Sequence, residues 1–395
     1  MATVTLGIVP APGLPANIAE KVKTRLEKSL NLNIEEDLSW KIEVQIDQIT
    51  GAAESAKEIM NQSIRMKEKF QWQYVISLTD LPLFEDRRAV LADANSEHHA
   101  AQISLPAFGM FVTSANVEAT VIYMIKELYY TKNQHKDVQF LHDGIGIKEI
   151  NRSKAIHSLS KIFKFTKVQR KKVTHSFEGL SVRFIIYPKF NSYLKLIFGM
   201  TMMNSPWSIM SSFKKVIGLA FATGSYMLIF NTLWKLSGLY ELFRFLLLMI
   251  MAMSAMVAWI IIAHNLWEKK HHYQSSRLRF IYNATTITTL SISVMLFYLA
   301  MFVLFSVAVV IFVPADIFED VLHHDIQLID YIKLAWLVTS AATIAGAVGA
   351  GLENEDAVRE VTYGYRQYIR SERVRLQEED EEKEEQGKNN NYPRK

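Results

Sequence analysis

Val216 to Trp234 reads VIGLAFATGSYMLIFNTLW, nineteen residues without a charge, with Lys214 and Lys215 in front and Lys235 behind. As an α-helix rising about 1.5 Å per residue, this run spans about 28 Å, close to the hydrocarbon thickness of a bilayer. Three further runs lack charge: Phe245 to Asn265, the stretch between Arg279 and Asp316, and Leu334 to Leu352. The pattern predicts about four transmembrane helices, near residues 216–235, 244–265, 285–313 and 333–352. The connection Leu236 to Arg244 is short enough to force an antiparallel hairpin. The third run opens on the polar stretch Asn283 to Thr289, whose hydroxyls are expected to bond back to the helix or to neighbours, and it is ended by Pro314. In the fourth, Ala341, Ala345 and Gly349, with Ala342, Gly346 and Ala350, follow the spacing that lets helices approach closely. Packing within the chain is the first expectation for these residues, and self-association through Ala341, Ala345 and Gly349 the second.

The loops give an orientation. Lys269, Lys270, Arg277 and Arg279 fill the second loop, whereas Asp316, Glu319, Asp320, Asp325 and Asp330 dominate the third. Basic residues favour the cytoplasmic side, so a multi-pass protein of the cytoplasmic (inner) membrane with both termini in the cytoplasm is expected. The spans hold no Asp, Glu, Lys or Arg at mid-depth, which disfavours ion-coupled transport. The start, Met1 to Gly7, does not read as a secretory signal, and the absence of cysteine removes disulfides and thiolate chemistry.

Before the spans the charges are scattered at the density of a soluble domain. Thr3 to Val9 reads as a strand, and Ile18, Val22, Leu26 and Leu30 recur at helical spacing in Ala16 to Leu30. Strand and helix then alternate: Trp40 to Ile49, Ala52 to Phe70, Tyr74 to Leu78, two short strands at Ala89 to Ala92 and Ala100 to Leu105, and a helix over Val117 to Tyr130. The expected fold is a cytosolic α/β domain with a mostly parallel sheet and an edge hairpin, followed by an all-α transmembrane bundle. The expected divisions are 1–135 for that domain, 136–191 for a basic connecting region, 192–213 for an interfacial segment, 214–352 for the spans and 353–395 for a charged tail, disordered at its acidic end.

The segments Leu6 to Val9, Thr79-Asp80-Leu81-Pro82-Leu83 and Ala100 to Gly109 resemble, in order, the elements of archaemetzincin-type zinc peptidases. The whole chain is similar to a set of bacterial four-helix membrane proteins of uncharacterised activity, through Asn204-Ser205-Pro206-Trp207, Tyr282 to Thr286 and Gly349 to Glu353. The peptidase resemblance implies a fold and not an activity, because the helix Val117 to Leu128 carries no histidine and no HExxH occurs in the chain.

Other catalytic signatures are missing too. Gly144 to Glu149 begins like a dinucleotide fingerprint but has Glu149 where a glycine belongs. The densest polar region of the soluble part holds Asp80, Arg87, Arg88, Asp93, Glu97, His98 and His99, and Asp80, Arg87, Arg88, Glu97 and His98 are the ligand-binding candidates. Lys161, Lys164, Lys167, Arg170, Lys171 and Lys172 form a basic patch suited to an anionic membrane surface. No metal, cofactor or nucleic-acid partner is expected; the partners expected are the lipid bilayer and another protein. These residues suggest a non-enzymatic membrane-anchored adaptor or regulator. The alternative is a membrane-associated enzyme using a crevice near Asp80, Arg87, Glu97 and His98.

Overall fold

The computed structural model describes residues 2–33, 38–53, 55–85, 88–137, 167–173, 180–211, 213–268, 276–350, 369–370 and 372. The chain divides into two units, Met1–Met203 with Gln367–Lys395, and Asn204–Arg366.

The first unit is built on one sheet. Strand β1 (Ala2–Pro10) lies between β2 (Leu38–Val44) and β3 (Tyr74–Thr79), parallel to both, and β6 (Ala100–Ser104) continues the parallel order beside β3. Helix α1 (Leu14–Asn33) buries the expected stripe Ile18, Val22, Leu26 and Leu30 against Leu6, Ile8 and Ile42. Each such side chain taken fully out of water contributes about 1.5–3 kcal/mol. Helix α4 (Ser114–Asp137) covers the same face through Val117, Val121 and Leu128. On the other face a one-turn helix α2 (Ile49–Ala52) and α3 (Ala56–Lys69) cover β3 and β6. There Trp72 lies across Gly7, where any Cβ would overlap the indole.

The sheet is mixed rather than mostly parallel, which corrects the expectation from sequence. Two causes are visible. Asn95 Oδ1 accepts the amides of Glu97 and His98, and His99 takes φ 52°, so the chain reverses between β5 (Arg88–Asn95) and β6. A second hairpin, β7 (Lys167–Lys172) and β8 (Val182–Tyr187), then adds to β5, giving the order β2-β1-β3-β6-β5-β8-β7, with β4 (Phe84–Glu85) also paired to β5. All pairings from β6 onward are antiparallel. The sequence of β7, KVQRKK, conceals a strand under its charge, and lysines of this kind blunt an exposed sheet edge. Helix α5 (Lys189–Met203) packs against the turn Leu105–Phe111 with Gly199 pressed on the Pro106 carbonyl. The apolar stretch 192–213, expected at an interface, thus places its first part in the sheet domain.

Among the described residues of the second unit three helices are long and apolar enough to cross a membrane, or four if a bent pair counts as one span. The three are α8 (Leu242–Ala263), α9 (Ser276–Phe312) and α11 (Leu328–Ala350). The stretch quoted at the outset is not one straight helix: α6 (Lys214–Met227) and α7 (Asn231–Leu239) meet at 90°. The bend has an identifiable anchor, since the Trp234 indole N–H donates to the Leu228 carbonyl at 2.9 Å, one of those the break releases. Trp234 also meets Phe318 of the short helix α10 (Ala315–Leu322) edge to face. Helix α9 begins earlier than expected; Asn283 near its start accepts the Glu268 amide, and the polar groups that follow are satisfied as well. Thr288 bonds back to Ala284, Asn204 donates to Thr289, and Ser293 donates to the carbonyls of Pro206 and Thr289. Gly346 and Gly349 of α11 face Ala220 and Leu219 of α6, so these two glycines of the small-residue stripe pack within the chain.

Candidate functional site

Three loops at the carboxyl edge of the parallel strands converge on Asp80. Thr79 ends β3, donating its hydroxyl to the Thr50 carbonyl at 2.7 Å and accepting the Leu81 amide at 3.0 Å. Ser104, at the end of β6, holds the Leu81 carbonyl at 2.7 Å. Asp47 fixes α2 by accepting both the amide and the hydroxyl of Thr50, while Gln62 donates to its other oxygen. The chain leaving β1 is tied down by the Ala11 amide on the Leu78 carbonyl. This framework presents the Asp80 carboxylate with the carbonyls of Gly51 and Pro12.

All three groups are hydrogen-bond acceptors, and the group among them is the guanidinium of Arg370. Its Nη1 lies 2.9 Å from both carboxylate oxygens of Asp80 and 3.2 Å from the Gly51 oxygen, and its Nη2 lies 3.0 Å from the Pro12 oxygen. Asp80 is 0% exposed and Arg370 8%, so the charges meet away from water. Removing one partner of such a pair costs about 3–5 kcal/mol, because the other charge stays buried. Gly51 is shaped to the guest: a Cβ there would overlap Nη1 of Arg370.

The other candidates stand apart from this crevice. Residue Ala100 of β6 pairs with Val75 and Ser104 with Thr79, so the hairpin bearing Glu97 and His98 lies at the amino edge. At about 3.3 Å per residue that is about 17 Å from Asp80. Both side chains are exposed there. Arg88 opens β5 and is held by Tyr187, donating to its hydroxyl at 2.6 Å with the guanidinium carbon 4.2 Å from the ring centre. Arg87 lies outside the described residues, as do Lys161, Lys164 and Gly144 to Glu149. Of the basic patch, Lys167, Lys171 and Lys172 are exposed on β7. Arg170 turns inward to Glu127 of α4 at 2.7 Å, and Lys171 meets Glu85 at 2.7 Å.

Of the other buried carboxylates, Asp93 and Glu127 are engaged in ion pairs, while Asp330 accepts the Gln327 amide. Asp93 takes a two-pronged contact from Arg183, at 2.7 and 3.0 Å, and a third bond from Gln102. Glu118 of α4 accepts from Ser29 and lies 3.5 Å from Arg25. Among the described residues no group of three or more His, Asp or Glu is placed to hold a metal ion. His323 takes φ 61° at the end of α10, and the neighbouring His324 ring contacts the Asp325 carbonyl. On α5, burial pulls the Lys195 ammonium down to about 8.

The sequence reading singled out Asp80 but missed Arg370, which lies in the stretch it took as a charged tail. A buried aspartate at a strand end demands a counter-charge; the sequence offers many arginines and does not say which one. No family model, no curated protein and no solved structure matches this chain.

Proposed function

We propose that this chain is a membrane-anchored, non-enzymatic adaptor or regulator, whose helices hold the sheet domain at the cytoplasmic face and whose carboxyl-edge crevice receives a polypeptide. The observation that carries this reading is Arg370 seated on Asp80: the occupant of the crevice is a side chain of the protein's own tail. The cradle offers acceptors for a cation, and the enzyme reading loses support because Asp80 and the pair Glu97 and His98 stand at opposite edges of the sheet.

The same contact supports the topology. The chain leaves the sheet unit at Met203 and is back in it by Gln367. A chain that returns to one domain crosses the membrane an even number of times. Three long spans are an odd number, so the bent pair α6 and α7 supplies the fourth crossing. Residues 351–366 cannot supply it, because Glu353, Glu355, Asp356, Arg359, Glu360 and Arg366 interrupt them. His264 at the end of α8 reaches the Ala350 carbonyl at the end of α11 at 3.0 Å, as helices ending on one membrane face do.

The absence of cysteine makes the test direct, because single cysteines need no background removal. Glu97→Cys, Lys388→Cys and His324→Cys are exposed in turn to a membrane-impermeant maleimide. In intact cells His324→Cys alone is expected to react, and after lysis all three. Labelling at position 97 or 388 from outside the cell overturns the proposal.

A further inference from the structure

We infer that the cradle of Asp80, Gly51 and Pro12 is a guanidinium site that recognises an arginine carried on a polypeptide, and that Arg370 is its ligand in cis. An arginine-bearing segment then binds the same pocket in trans whenever the tail is displaced. This deepens the adaptor reading above and rests on it.

The chemistry selects arginine over lysine. The acceptors are spread so that Nη1 serves Asp80 and Gly51 while Nη2 serves Pro12, a reach that matches a planar fork and not the single nitrogen of an ammonium. The missing side chain at Gly51 leaves the room that Nη1 fills. Asp80 is fully buried, so an empty pocket leaves a carboxylate without a counter-charge, a state relieved by another cation of the same shape. The pocket also lies where open α/β sheets place their ligands, outside the carboxyl ends of the strands. A free small-molecule guanidine has the same head group. The peptide is favoured because the pocket's occupant is itself a side chain of a polypeptide segment, with Ile369 beside it half-buried.

The test uses the full chain in lipid nanodiscs and a fluorescent peptide of residues 363–376. Fluorescence anisotropy is expected to show binding to Arg370→Ala and binding about a hundredfold weaker or more to the wild type, whose tethered arginine competes at millimolar effective concentration. Replacing the peptide's arginine at position 370 by citrulline, or adding Asp80→Asn to the protein, should abolish binding, and lysine at that position should weaken it. A second measurement keeps Arg370 in place: a nitroxide on Ser371→Cys of the otherwise natural chain should gain mobility when excess arginine peptide is added, and not with the citrulline peptide. Equal binding of the two peptides, or no gain of binding and no gain of mobility, overturns the inference. Displacement by free L-arginine as efficient as by the peptide overturns the polypeptide as ligand. Failure here leaves the maleimide pattern unaffected, so it is distinguishable from failure of the membrane topology.

Discussion

Gly51→Ala evicts Arg370 without touching a charge. The added Cβ would occupy the place of Nη1, and the far end of a flexible arginine yields more readily than the backbone of α2, which Asp47 and Gln62 hold. Once the guanidinium withdraws, Asp80 is left as an uncompensated buried carboxylate, a loss of about 3 kcal/mol at the low end for such pairs. At 1.4 kcal/mol per tenfold, the docking equilibrium constant should fall by about 100-fold. Alanine is a better helix former than glycine by about 1 kcal/mol, so a weakened α2 cannot account for the effect. Limited trypsin digestion followed by mass spectrometry reads the change, because cleavage after Arg370 requires it to leave the pocket, and at low protease the rate follows the open population. Cleavage after Arg370 should accelerate by about two orders of magnitude, against a reference such as Lys21 of the sheet domain. Equal initial rates in the two chains would refute the argument that the pocket is shaped around Nη1.

Two further predictions concern the fold that carries the pocket. Gly7→Ala should cost about 1–3 kcal/mol as overpacking, seen as lost deuterium protection in β1, and the loss should vanish in a Trp72→Ala background where the indole is gone; an unchanged cost in that background would show that the indole is not the obstacle. Lys195 has its folded-state value lowered to about 8, below the ordinary lysine range near 10.4, so the unfolded chain binds more protons between these limits and stability rises with pH through them. Lys195→Met should therefore melt higher than the natural chain near pH 7, with the gap closing towards pH 10.5; a gap independent of pH would remove burial of the ammonium as its cause.

Much of the fold was legible where one rule dominates. The helical spacing of Ile18, Val22, Leu26 and Leu30 and the uncharged runs that became α8 and α11 depend on local burial alone, and periodicity reports that directly. The parts that were not legible depend on partners far away in the chain. Lys167 to Lys172 reads as a charged surface until Val182 to Tyr187 is known to pair with it. Nothing in an apolar run says where it is straight, and the break at Leu228 rests on an indole six residues later. Asp80 was identifiable because it belongs to the densest polar region of the soluble part and follows a buried strand. Arg370 lies 290 residues further on, and only the folded pocket distinguishes it from its neighbours.

The bent helix also acts on its surroundings. Helix α6 has 14 residues, about 21 Å of rise, while α8 and α11, with 22 and 23, rise about 33–35 Å. In the four-span arrangement proposed above, acyl chains beside α6 would meet a shorter hydrophobic wall than those beside α8 and would compress or tilt to match it. The annulus would then be uneven, and bilayers of shorter acyl chains would relieve that mismatch. The bend at Leu228 would thus favour the thinner regions of a membrane, independent of anything the sheet domain binds.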